Sequence, residues 1–366
     1  MEQITIRQIS AATGFSIATV SLALRNHPRI SGKTRDAIKT KADAMGYLPN
    51  PVMTAHWTAM RMRQPRRFLS VIAVINDWNI ASAWRESLYN KSYLDAFRKR
   101  AEALGYVVEE FALAEDKPIS RLEIPARLET LSKVFRARGI GAFAIFASAH
   151  SDLLWDARRH FSSQVIILIG SDYIHSQSKI PGSRHVPYHR VGASRYSNMI
   201  ILLDELVALG YGRPGYWPNR WSELSAGGEG LAAFNVYVQS LPEEDRIDVR
   251  WVGWQQVADH EDLKKPFLEW LEKFQPDVVI CGNLEIRSWI EETGRRIPED
   301  IGLAHINLSP YEVNWSGISQ CHDRIAQSAV DVLTAHLNRN ELGPPEFTKE
   351  TRIEGEWVSS ETTRAQ

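Results

Sequence analysis

The chain has 366 residues, 44% of them hydrophobic and 24% charged, with a net charge of −1. That length calls for two or three domains rather than one core, and no apolar run approaches the roughly 18–20 residues needed to span a bilayer. With Cys281 and Cys321 as the only cysteines, a disulfide framework and a cysteine metal site are both excluded.

The opening MEQITIRQIS lacks the charged-then-apolar build of a secretion signal, so the expected location is the cytoplasm, with no membrane partner. Charge is unevenly spread. Up to Arg67 there are eleven Lys/Arg against three Asp/Glu, and the remainder holds thirty-two against forty-one. A basic head on an acidic body suits a head that meets a polyanion and a body that does not.

In chain order, Thr5 caps a short helix over 6–12 with Ile6 and Ile9 inward, and Gly14 permits a tight turn. Ser16 caps the next helix, whose inner stripe is Val20, Ala23 and Leu24. Its other face carries Ile17, Ala18, Ser21, Leu22 and Arg25. Nothing in a bundle this small buries those apolar groups. A third helix follows Ser31, with Ala37, Ile38, Ala42 and Met45 inside, and ends at Gly46. Two short helices joined through a glycine turn make a helix-turn-helix; the alternative is a small bundle used for protein contacts. Asn50 and Pro51 then start a helix reaching about Met62, too short to be stable alone in water.

ITIRQISAATGFSIATVSLALRNHPRISGKTRDAIKTKADAMGYLPNP resembles, almost position by position, the head of the lactose/galactose repressor (LacI/GalR) family. The resemblance implies that the second helix enters the DNA major groove, with Ile17, Ala18, Ser21 and Leu22 over base edges and Arg25 as a further polar contact. Ser16, Thr19, Ser31 and Arg35 would touch phosphates, and Thr5 and Asn50 are placed with this DNA-facing set. The following helix would act as a minor-groove hinge. Where the family wedges the groove with a leucine pair this chain has His56, followed by Trp57.

Beyond residue 67, strand-like apolar runs alternate with helical patterns: FLSVIAVIND, then YLDAFRKRAEALGY, VVEEFAL, ARLETLSKVFRARG, GAFAIFA and QVIILIG. The cycle repeats from Ser194 with ILLDELVALGYG, RPGYW, LAAFNVYVQ, IDVRWV, LKKPFLEWLEKF, PDVVICGN, EIRSWIEETG and IGLAHIN. Such alternation indicates parallel sheets, and the strand count indicates two lobes. The resemblance agrees, implying a body like the two-lobed periplasmic sugar-binding proteins with three chain crossings.

The expected fold is therefore an all-α helix-turn-helix head plus an α/β body of two Rossmann-like lobes of the periplasmic-binding-protein type. Expected boundaries are 1–49 for the DNA-binding domain, 50–67 for hinge helix and linker, and 68–366 for the effector-binding and dimerisation domain. Within the last, the N-lobe takes about 68–183 and 318–342, and the C-lobe about 184–317 and 343–366.

Ligands of open α/β lobes sit beyond the carboxyl ends of strands. That rule marks Asn76, Asp77, Trp78, Ser148, Asp172, Trp217, Asn283 and Asn307 as effector contacts, with Trp84 and Trp221 in nearby loops. Trp251, Trp270 and Trp289 sit at core spacing. By the resemblance, Asn283 matches an effector-gripping asparagine, Asn307 stands where an aspartate is usual, and Gly230 replaces an arginine. Aromatic faces and amide edges suit sugar rings.

Enzyme and metal chemistry find no support. SAGGEG lacks the lysine of a P-loop, His185 and His189 have no acidic partner, and the adjacent Glu291 and Glu292 point apart on a helix. The expectation is a homodimeric repressor of operator DNA, without cofactor or metal, controlled by a small ligand of carbohydrate type. The alternatives are a sugar-binding or sugar-active protein with an incidental head, and a regulator without a small-molecule effector.

Overall fold

The computed structural model describes residues 4–24, 29–47, 70–76, 88–114, 120, 122–146, 159–170, 188–218, 223, 227–246, 263–309 and 314–366. The head comprises α1 (Ile6–Thr13), α2 (Ile17–Leu24) and α3 (Gly32–Ala44). Each start is written locally. The Thr5 hydroxyl accepts from Gln8 N–H while the Gln8 side chain accepts from Thr5 N–H at 2.7 Å, a reciprocal capping box. Ser16 and Ser31 each accept from the backbone N–H three residues on, at 3.1 and 3.3 Å. Gly14 has φ +73° at the α1–α2 turn, a conformation that disfavours any side chain. Ser10 donates to Phe15 O at 2.6 Å across the same turn.

Ile9, Val20, Ala23, Ile38 and Ala42 form the head's core, with Ile6, Phe15, Leu24, Ile30 and Met45 packed around it. Ala37, expected inside, is exposed. The inner stripe of α3 runs through Ile38 and Ala42, four apart, and Ala37 sits about 100° away from Ile38 around the helix.

The described residues of the body form two sheets. The first combines β1 (Ser70–Asn76), β2 (Tyr106–Ala112), β3 (Ala142–Phe146), β4 (Val165–Ile169), β5 (His189–Ala193) and β10 (Glu350–Ile353) in the order β10-β5-β4-β3-β1-β2, all parallel. The second combines β6 (Pro214–Trp217), β7 (Val278–Cys281), β8 (Gly302–Leu308), β9 (Ser316–Ser319) and β11 (Glu356–Val358) in the order β11-β9-β8-β7-β6, parallel except for β11.

Because strand side chains alternate, Ile72 and Val74 face a layer with Phe97 of α4 (Leu88–Ala103) and Val330 of α10 (His322–Arg339). Ala73 and Ile75 face the other way, with Leu128 and Phe135 of α5 (Ile124–Arg138). The second sheet is covered likewise. One face packs on α6 (Arg195–Ala208) and α7 (Glu229–Val238), the other on α8 (Lys264–Phe274) and α9 (Ile286–Glu291).

Among the described residues the chain passes between sheets three times: from β5 into α6, from β9 into α10, and from β10 into β11. The first sheet therefore extends further than the expected lobe limits. β5 lies beyond residue 183 and β10 beyond residue 343, yet both belong to it, while β9 reaches Ser319 in the second. β10 is held by backbone bonds, Arg190 N–H to Lys349 O at 2.9 Å and Ser194 N–H to Ile353 O at 2.8 Å, which need no apolar pattern. The expected strand IDVRWV lies outside the described residues.

Candidate functional site

The head presents one face built by its caps. Ile17 is 50% exposed and Ala18 is exposed beside it, while Ser21 and Leu22 are half-buried outside the core cluster. Ser16 and Thr19 hydroxyls pair at 2.8 Å, as do those of Ser31 and Thr34. The first turns of α2 and α3 thus each carry a hydroxyl pair at a helix N-terminus, chemistry that suits phosphate oxygens. Arg35 is half-buried, and its Nη2 donates to Ile30 O at 2.9 Å, which orients the guanidinium. Arg25, Asn50, His56 and Trp57 lie outside the described residues.

At the seam between the sheets, the chain crossings gather buried polar groups. Arg195, Asn198, Glu223, Gln320 and His322 are all under 10% exposed. Arg195, Asn198, Glu223, Gly230 and Gln320, with Met199, Leu202 and Ile306, line a small void of ≈ 10 Å³, room for about one water. Asn198 Oδ1 accepts from Gly355 N–H at 2.7 Å, tying α6 to the third crossing.

Glu223 accepts from the Tyr216 hydroxyl at 2.5 Å and from Leu231 N–H at 3.1 Å. Burial and the adjacent carboxylate push the Tyr216 hydroxyl well above its ordinary range. A Cβ on Gly230 would stand 2.6 Å from Glu223 Oε1. The place where a side chain at 230 would begin is thus taken by a carboxylate, which explains the glycine. His322 stacks on Tyr93 with ring centroids 4.6 Å apart, and burial, then the Arg195 charge, hold it down to about 4.

Of the expected effector residues, Asn76 is buried at the end of β1 and its carbonyl accepts from Leu113 N–H at 2.9 Å. Asn283 follows β7, but its Oδ1 accepts from Glu285 N–H at 3.0 Å and so shapes the turn into α9. Asn307 lies within β8 beside a register shift against β9, with Oδ1 buried and unpartnered among the described residues. Trp217 needs correction. Alternation along β6 sends Tyr216 toward Glu223 and Trp217 to the opposite face, where its ring lies 5.2 Å from Phe267 and 5.4 Å from Trp270 in the core. Asp77, Trp78, Trp84, Ser148, Asp172 and Trp221 lie outside the described residues.

Arg195, Asn198, Glu223, Gln320 and His322 escaped the sequence reading. Only the glycine at 230 signalled that this wall is unusual.

His189 does not pair with His185, which is outside the described residues. It stacks on His336 with ring centroids 4.1 Å apart, and its Nδ1 accepts from Lys349 N–H at 3.0 Å. Among the described residues no group of His, Cys, Asp and Glu is arranged to hold a metal, and no helix is long and apolar enough to cross a membrane.

Residues 5–50 match the family of bacterial regulatory proteins, lacI family. No curated protein matches the chain in sequence. Among solved structures, the lac repressor dimer bound to operator and the anti-inducer ONPF shares 17% identity over 100% of both chains, with a TM-score of 0.56. The transcriptional regulator CelR in complex with cellobiose shares 14% over 98% of this chain and 100% of its own, with a TM-score of 0.55. CcpA of Lactococcus lactis shares 13% over 81% of this chain and 100% of its own, with a TM-score of 0.52. Residues 5–50 thus match the DNA-binding head of the lacI family, and the α/β body that follows has the fold of the lac repressor.

Proposed function

We propose that the chain is a homodimeric repressor whose hold on a pseudo-palindromic operator is controlled by a small ligand, of carbohydrate type, taken at the seam between the lobes. The observation that carries this reading is the exposed apolar face of α2. Val20 and Ala23 anchor the helix to the core, leaving Ile17 and Ala18 in solvent, where thymine methyl groups are their natural partners. Ser16, Thr19, Ser21, Leu22, Ser31 and Arg35 surround that face as polar, apolar and cationic contacts, and two heads reading two half-sites require a dimer.

For the ligand, the support is a polar seam at the crossings together with the buried Asn307 carbonyl oxygen, which suits a hydroxyl donor. CelR with cellobiose is a precedent for a carbohydrate on this fold. Asn76 and Asn283 stay in the proposed ligand set as strand-end residues.

The test is a gel shift on the DNA upstream of the chain's own gene, comparing the full chain with one lacking residues 1–64. The full chain retards that DNA and the shortened chain does not. Equal retardation by both overturns the reading.

A further inference from the structure

We propose that the ion pair between Arg352 and Glu229 is a latch that fixes the angle between the two lobes. Arg352 stands on β10, the edge strand of the first sheet, and Glu229 opens α7, which packs on the second. The contact is bidentate: Nη2 donates to Glu229 Oε1 at 2.7 Å and Nη1 to Oε2 at 2.9 Å. Two parallel bonds to a planar carboxylate fix direction as well as distance. The side chains are 31% and 25% exposed, so the pair is partly removed from solvent screening.

Both ends are mounted rigidly. Arg352 Nη1 also donates to Ala193 O at 3.2 Å, and Nε faces Glu350 Oε1 at 2.9 Å. On the other side, Glu223 accepts from Leu231 N–H and its carbonyl takes Gly228 N–H at 2.8 Å, holding the first turn of α7. Ala193 and Ile353 are the last strand residues before the first and third crossings. The pair therefore bridges the lobes beside the connections about which they would rotate, so rotation there must break it or carry it along.

Glu229 also adjoins Gly230, a wall of the small void at the seam. Anything that displaces the first turn of α7 acts on the latch directly. That consequence for regulation rests on the ligand-controlled reading above, whereas the latch itself does not.

The experiment measures the distance between spin labels on the full chain carrying Glu102→Cys and Glu269→Cys, exposed positions on α4 and α8 of different lobes. The native thiols stay unlabelled because both are buried, and burial pushes Cys281 up to about 12. In this background Glu229→Ala cuts the link between lobes, and Glu350→Ala removes only same-lobe contacts, those to Arg352 and Arg190. Glu229→Ala should broaden the parent's distance peak between lobes of one chain, with Glu350→Ala retaining it. The latch is overturned if Glu229→Ala keeps the parent distribution, or if Glu350→Ala broadens it equally. Circular dichroism confirms that both variants are folded.

Discussion

Ile17 keeps half its surface in solvent because Val20 and Ala23 already fill the space under α2. A small head has no second layer to cover the remainder, so the exposed side chain is cheap to keep and useful against a base edge. Leu22 lies half-buried outside the core and completes the apolar contact. Ile17→Ala or Leu22→Ala should therefore reduce preference for operator over random DNA by about tenfold, the scale of one mismatched base pair. Arg35→Ala should instead weaken both DNAs alike and lower the salt slope by about one. Titrations of specific and random DNA at several salt concentrations check both, and equal losses on the two DNAs for Leu22→Ala would remove it from the base-reading set. Since Arg35 also holds Ile30 O, the circular dichroism of that variant must match the parent before its salt slope is read.

Helix α10 shows what one element can carry. It begins with His322 against Tyr93 and has His336 in its last turn, stacked on His189. His322 and His189 are each lowered from 6.5 to about 4, burial being the first cause, and burial also lowers His336. Between about pH 6.5 and 4 the unfolded chain takes up protons that the folded chain refuses, so folding is opposed increasingly as pH falls. The stability these groups support is fully present above about pH 6.5 and is lost through that window. A thermal melt series from pH 7.5 to 4.5 should show Tm falling below about pH 6.5, and His322→Gln should flatten the slope. A slope unchanged by that substitution would discharge His322 from the effect.

The segment 318–342, expected in the N-lobe, holds α10, which packs on the first sheet. Strand β5, HRVGA, carries too few apolar residues for a run, and β10, ETRI, is an edge defined by backbone pairing, so neither announced itself. Trp217 misled because the strand-end rule gives depth along β6 but not the side of the sheet. Glu223 acquires its meaning only when packing sets it against the Cβ position of Gly230.

At the scale of the molecule, head and body answer to different parts of one equilibrium. In the proposed function the exposed face of α2 reads DNA, and only a body with two arrangements can make that reading conditional. In the proposed function the crossings and the buried polar groups beside them are where a ligand would favour one arrangement. A ligand that binds the native chain at 100 times its Kd adds about 2.7 kcal/mol of stability, which should raise Tm by about 4 °C in a body of this size. Linkage then makes a second demand. If that ligand binds DNA-competent and DNA-incompetent arrangements differently, the gel-shift midpoint must move with it, and DNA must change ligand affinity by the same factor. A thermal-shift screen with mono- and oligosaccharides, followed by gel shifts with each stabilising sugar, checks both demands. Sugars that raise Tm while leaving the DNA midpoint in place would bind without control. A screen in which no saccharide raises Tm would remove carbohydrate as the ligand class and leave the head as a DNA reader under some other influence.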